Sequence, residues 1–290
     1  MSQAINTKEL SRIVPTLPTL SIIGSPVTAK PFKEQMRAIM MWAKERRSKA
    51  VCVANTHMLI EAYRNPDFGS VLQNADMVTP DGRPLVWMMK TMGALQQDRV
   101  AGMDIFTALC QAAPREKVSI FLLGSQSDIL GRMQARLKTE FPDLDIAGVE
   151  PLPFRPMTPA EDSALIERVN ASGAGIVFLA LGCPKQEAWI DCHRDKIQSV
   201  MIGLGGVFPV YAGIQKRAPG WIRSSGLEWL YRLMQEPTRL WKRYSSTIPP
   251  FVWLALQQVL EQKFASGCDE VRVARNEAQL HLEGCEWFDS

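Results

Sequence analysis

Four short runs of consecutive, mostly apolar residues punctuate the chain, at 50–54, 118–123, 175–181 and 199–204. Their length and β-branched content predict strands buried on both faces, and a shorter strand is expected at 75–79. Helical patterns lie between them. The clearest covers 127–141, where Ser127 can cap and Ile129, Met133, Leu137 and Phe141 recur every fourth residue on one face. Residues 159–170 and 185–196 read as further helices. Strands alternating with helices of this length predict an α/β fold with a mainly parallel sheet. In such sheets ligands collect at the carboxyl ends of the strands, so the residues that follow each run are the candidates for chemistry.

After the first run stand Asn55, Thr56 and His57; after the third, Gly182-Cys183-Pro184-Lys185-Gln186-Glu187; after the fourth, Gly203-Leu204-Gly205-Gly206. Pro184 is placed to open a helix, whose backbone N–H groups could face an anion, although glycine after a strand equally marks a tight turn. The sequence contains neither G-x-G-x-x-G nor G-K-[ST], which argues against a standard dinucleotide or P-loop site. Thr79-Pro80-Asp81-Gly82 reads as a sharp turn that presents the Asp81 carboxylate at a cleft or uses it to cap its own backbone. Arg99 stands between Asp98 and Asp104 and could pair with either. His57 and His193 are isolated, no metal-ligand spacing is present, and Ser125 and Ser127 lack the nucleophile-elbow pattern.

Composition adds exclusions. Among 290 residues, 46% hydrophobic and 22% charged residues describe an ordinary globular chain. The six cysteines contain no C-x-x-C pair, so neither a disulfide scaffold nor a zinc module is expected. No export signal is read at the start, where Lys8, Glu9 and Arg12 interrupt any apolar run. The mostly apolar stretch 200–214 carries four Gly and one Pro and falls short of the roughly 20 residues that span a bilayer. A net charge of +3 does not announce a nucleic-acid binder. The charge is unevenly placed, however. Over residues 216–243 seven cations face only Glu228 and Glu236, a local +5 interleaved with Trp221, Trp229, Tyr231 and Trp241, so the remainder carries −2. Basic residues among aromatics suit an anionic lipid surface or a diphosphate, or form a solvated helix face. Beyond them, residues 249–264 place Phe251, Leu254, Leu256, Val259 and Leu260 on a broad apolar side, as in a docking helix.

Taken in order, Asn55, Ala75 to Gly82, Asp98 to Asp104, Gly182 to Glu187, Gly203 to Gly206, Arg217-Ala218-Pro219, Leu227 to Arg232 and Glu236 to Leu240 make the chain similar to the WecG/TagA/CpsF family of bacterial glycosyltransferases. The resemblance implies a Rossmann-like body with a helical, basic C-terminal appendage. It also implies transfer, with inversion and without a metal or other cofactor, of a sugar from a UDP-sugar to a polyprenyl-diphosphate-linked sugar during cell-surface polysaccharide synthesis. By that resemblance Asp81 is the general base and Arg99 offsets charge on the departing diphosphate. Asn55, Gln186, Gly203, Gly205 and Gly206 bind the donor by the same resemblance, and Thr56 is the candidate to supply a polar contact beside them. Arg232, Arg239 and Lys242 meet the acceptor diphosphate and an anionic membrane surface. The expected location is cytoplasmic, peripheral on the inner face of the cell membrane; no nucleic-acid partner is expected, and a homo-oligomer stays open. N-acetylmannosamine leads as donor sugar, with glucuronic acid or N-acetylmannosaminuronic acid as alternatives.

The expected organisation is an N-terminal extension with a first helix at 1–45, the α/β body at 46–215, the basic appendage at 216–264 and a polar tail at 265–290. Two positions depart from the family pattern. Val53 replaces a common Thr, and Pro209 follows Phe208 where an Asp is frequent. They motivate a rival of another class, a non-catalytic nucleotide-sugar-binding protein that recruits partners to the membrane.

Overall fold

The computed structural model describes residues 17–153 and 155–284. Six strands form one parallel sheet: β3 (Lys49–Ala54), β4 (Met77–Pro80), β5 (Ile120–Gly124), β6 (Ile146–Glu150), β7 (Ile176–Ala180) and β8 (Val200–Gly203), in the order β4-β3-β8-β7-β5-β6. All five neighbouring pairs are parallel. The runs expected to be strands are therefore strands, and every residue of β4, β5, β7 and β8 is buried. Edge strand β6 is only half-buried along its length, so its pattern is too polar to stand out in the sequence.

Helices cover both faces. The chain continues through α1 (Phe32–Lys44), α2 (Thr56–Arg64), α3 (Pro66–Asn74), α4 (Arg83–Thr91), α5 (Gly102–Glu116), α6 (Ser127–Glu140), α7 (Pro159–Ala171) and α8 (Lys185–Cys192). On one face Phe106 of α5 packs against Phe178 of β7 with ring centroids 4.9 Å apart. That cluster takes in Leu130, Met133 and Leu137 of α6, with Ile129 and Phe141 partly buried at its margin. The stripe on α6 thus falls where its spacing put it, whereas Ser127 is not the cap: Gln126 holds that position without a side-chain cap bond.

The N-terminal segment holds more than an extension and a helix. Strands β1 (Thr19–Ile22) and β2 (Ser25–Thr28) form an antiparallel hairpin. Its two-residue turn, Ile23-Gly24, has φ of 48° and 76°, both left-handed, the geometry that matches strand twist. A β-branched residue in that conformation gives no turn signal in a sequence. Gln258 holds it in place by accepting the Ile23 N–H at 2.8 Å. The hairpin also protects edge strand β4, because the Thr28 hydroxyl accepts the Val78 N–H at 3.1 Å.

After β8 the described residues form four helices: α9 (Phe208–Tyr211), α10 (Gly220–Ser225), α11 (Glu228–Gln235) and α12 (Pro237–Gly284). The apolar side expected over 249–264 divides in two. Phe251 is buried with Ile22, Met58 and Leu85, and Leu254 and Val259 pack beside it, while Trp253, Leu256 and Leu260 are exposed. Pro249 and Pro250 lie within α12. The helix backbone continues through most of the stretch read as a polar tail, of which residues 285–290 lie outside the described residues, as do residues 1–16. No helix among the described residues is long and apolar enough to cross a membrane.

Candidate active site

The carboxyl ends of β3 and β4 fix Asp81. Its backbone N–H donates to the Ala54 carbonyl at 2.7 Å, tying it across the strand pair. Gly82 follows with φ of 119°, a conformation that L side chains rarely adopt, so the chain turns sharply into Arg83 and α4. The segment carrying Arg99 is strapped to the same strand end. Val100 donates its N–H to the Pro80 carbonyl at 2.9 Å, and the Thr79 hydroxyl reaches back to the Val100 carbonyl at 3.4 Å.

Arg99 consequently pairs with neither of its sequence neighbours Asp98 and Asp104. Its Nη2 and Nε lie 3.2 and 3.4 Å from Asp81 Oδ1, and Nη2 lies 2.7 Å from Glu228 Oε2 of α11. Nη1 makes no hydrogen bond among the described residues. Burial pushes the Asp81 carboxyl above its ordinary pKa; Arg99 opposes that shift and Glu228 adds to it. Burial works against the Arg99 charge, but Asp81 and Glu228 outweigh it and raise its pKa. A half-buried carboxylate with elevated proton affinity beside a permanently charged guanidinium is suited to taking a proton while charge develops next to it.

Gln186 organises the glycine loops from within. It is 6% exposed. Its Oε1 accepts the N–H groups of Gly182 and Gly205, each at 3.1 Å, and its Nε2 donates to Glu187 Oε1 at 2.7 Å. A Cβ on Gly203 would stand 2.8 Å from Gln186 Nε2, and one on Gly205 would stand 2.7 Å from Gln186 Oε1. The missing side chains at Gly203 and Gly205 therefore make room for Gln186 itself. Glu187 is fully buried, and that burial raises its carboxyl pKa. Asn55 has a local bond set as well: its Oδ1 caps α2 by accepting the N–H groups of His57 and Met58 at 3.1 and 3.2 Å. Thr56 follows as the half-buried first residue of α2.

The basic run divides by direction. Arg232 Nη2 stands 3.5 Å from the Gly206 carbonyl, over the fourth strand end of the sequence pattern. Arg243 is half-buried, and burial lowers its pKa, with Arg232 and Arg239 adding to the effect. His57 registers the same positive field. Burial, then Arg243 and Arg64, hold its pKa down to about 4, so the ring is neutral near pH 7. Arg239 is exposed and paired with Glu236, and Lys242 is exposed. Sequence reasoning missed Glu228. The available signal was its rarity, as one of two carboxylates within 28 residues of cationic chain. The two departures sit differently: Val53 is 7% exposed in the core, and Pro209 is the second residue of the short helix α9. Among the described residues no three His, Cys, Asp or Glu side chains gather as a metal site.

The family described as "Glycosyl transferase WecG/TagA/CpsF family" matches residues 20–265. The chain is 35% identical over 214 residues to an N-acetylglucosaminyldiphosphoundecaprenol N-acetyl-beta-D-mannosaminyltransferase of Bacillus spizizenii strain W23, covering 73% of this chain and 80% of that one. It is 33% identical over 215 residues to the Bacillus subtilis strain 168 protein of the same name, covering 73% and 81%.

Proposed function

The chain belongs to the WecG/TagA/CpsF family of glycosyl transferases, and from that premise we propose that it moves N-acetylmannosamine from UDP to a polyprenyl-diphosphate-linked N-acetylglucosamine, with inversion. It is a glycosyltransferase that acts on a lipid-linked acceptor. The observation that carries the mechanism is the Asp81 carboxylate at the sheet's carboxyl edge beside Arg99, whose Nη2 is shared with Glu228 of α11. The acceptor hydroxyl attacks the anomeric carbon and its proton passes to Asp81. The bond from that carbon to the β-phosphate oxygen breaks, and UDP departs. Arg99 stays charged throughout, and the donors it does not give to Asp81 and Glu228 are left for the diphosphate. Gln186 acts through the loops it holds, and Asn55 and Thr56 act through the position of α2.

A screen of UDP-sugars with a short-chain lipid diphosphate acceptor tests the reading, following UDP release with and without a chelator. Release with UDP-N-acetylmannosamine, in either condition, is the expected result. Release only with a uronic acid donor would reassign the sugar. UDP binding without release under every condition would return the rival binding-protein reading.

The second part of the proposal is attachment to the inner face of the membrane through α11 and α12. No residue of α11 is buried, Met234 and Trp241 are each 67% exposed and Trp253 62%, and Arg239 and Lys242 stand among them. Aromatic and aliphatic groups beside cations match the boundary between acyl chains and anionic headgroups. Each basic residue at such a surface contributes about 1 kcal/mol. Replacing Arg232, Arg239 and Lys242 together by Gln is therefore expected to weaken binding to anionic vesicles by up to about 100-fold. Sedimentation with vesicles at low and high salt measures it, and unchanged partitioning would remove the role.

A further inference from the structure

We propose that Glu228 is a positioning residue for the reaction: by taking a share of Arg99, it keeps that guanidinium from closing fully on Asp81 and so makes the base dependent on the docking of α11. This inference rests on the reading of Asp81 as the base.

The geometry is a three-membered chain of charges. Arg99 Nη2 is shared between Asp81 Oδ1 at 3.2 Å and Glu228 Oε2 at 2.7 Å, and the shorter contact is to the residue 129 positions away in sequence. The side chains of Arg99, Asp81 and Glu228 are 20%, 26% and 28% exposed, so water screens the cluster only in part. An arginine wholly committed to one carboxylate would make it a poor proton acceptor, because it stabilises the charged form that must be consumed. Glu228 draws the guanidinium toward α11 and adds a second negative charge near Asp81. Both effects favour protonation of Asp81 during attack. Arg232 of α11 opposes them, and Arg83 at the start of α4 is the other charged side chain close in sequence to Asp81. Tyr244 of α12 also lies within electrostatic reach of Glu228.

The placement of Glu228 gives this contact a wider consequence. Helix α11 buries none of its own residues. Besides Glu228, its side-chain tie to the strand ends is the long contact from Arg232 to the Gly206 carbonyl. The Glu228 to Arg99 ion pair thus joins the basic segment to the reacting centre, and the segment proposed to meet the membrane also sets the strength of the base.

Steady-state kinetics of Glu228→Gln across pH test the inference. The variant keeps the side-chain length and removes the charge. Its kcat is expected to fall about 10- to 100-fold as Arg99 shifts toward Asp81, with the donor KM changed less than about threefold. The acid limb of its kcat profile is expected to move to lower pH, since an Asp81 paired with Arg99 alone holds its proton less tightly. Glu228→Asp, which retains the charge with a shorter reach, should lie between the two in both rate and midpoint. A wild-type rate and acid limb in Glu228→Gln would overturn the proposal, as would a lowered rate with an unmoved limb in both variants, which is the signature of a purely structural contact. Asp81→Asn separates this failure from that of the underlying reading. If Asp81→Asn is inactive while Glu228→Gln behaves as wild type, only the role of Glu228 falls; if Asp81→Asn turns over normally, the base assignment falls first.

Discussion

Replacing Asp81 by Asn is expected to lower kcat by about 10²- to 10⁴-fold, the usual contribution of a positioned general base, while leaving the affinity for UDP within a few-fold of wild type. In the proposed mechanism the two quantities separate because Asp81 takes the acceptor proton, whereas the diphosphate is left to the donors of Arg99. An Asn at this position can still accept a hydrogen bond from Arg99, so the constellation should stay assembled. The pH profile supplies a second readout. Burial, with Glu228 adding and Arg99 opposing, sets the Asp81 carboxyl above its ordinary pKa. The active form is the deprotonated one, so wild-type kcat should decline as pH falls through a midpoint above the ordinary carboxylate value of about 4, and that limb should vanish in the variant. Single-turnover measurements with a fixed donor, combined with calorimetry of UDP binding, check both statements. A near-normal rate would reject Asp81 as the base.

Gln186→Ala is expected to be the most damaging single substitution for stability near the site, by roughly 2–4 kcal/mol. The wild-type amide makes three bonds: it accepts the Gly182 and Gly205 N–H groups and donates to Glu187. Truncation leaves two backbone donors and a buried carboxylate short of a partner and opens a space under the loops. The glycines cannot close it, because the close packing of Gly203 and Gly205 was against Gln186 itself. Donor KM should rise together with the loss of stability, since the same loops border the strand ends. Gln186→Glu should be at least as harmful, because it places a second carboxylate against buried Glu187 and deprives that group of its donor. Chemical denaturation measures the stability term. A change below about 0.5 kcal/mol, the scale of a neutral surface substitution, would show that Gln186 serves the ligand rather than the loops.

These two residues also show where sequence reading reaches its limit. Asp81 and Gln186 are both singled out by motif, and the structure places both at the carboxyl edge of the sheet, after β4 and β7, with β3 and β8 between them. Their motifs say nothing of the bond sets that distinguish them. Among the described residues Asp81 hydrogen-bonds to one partner side chain, Arg99, whereas the functional groups of Gln186 are occupied by protein. Asn55 behaves like Gln186, its carbonyl oxygen being occupied by the start of α2.

The sequence by itself determined the parallel sheet, because a strand buried on both faces must be written as an unbroken apolar run, and such runs are visible in one dimension. It also determined that cations accumulate after residue 216, since charge is a property of composition. Tertiary structure alone decided what those cations and their few carboxylates do. Glu228 reaches Arg99 across 129 residues, and Gln258 steadies the Ile23 turn across 235. Contacts of that separation leave no local periodicity or propensity in the chain, for they depend on where the helices after β8 come to rest on the sheet. The hairpin at 19–28 escaped for the related reason that its turn residue is held by a distant glutamine rather than by its own conformational preference.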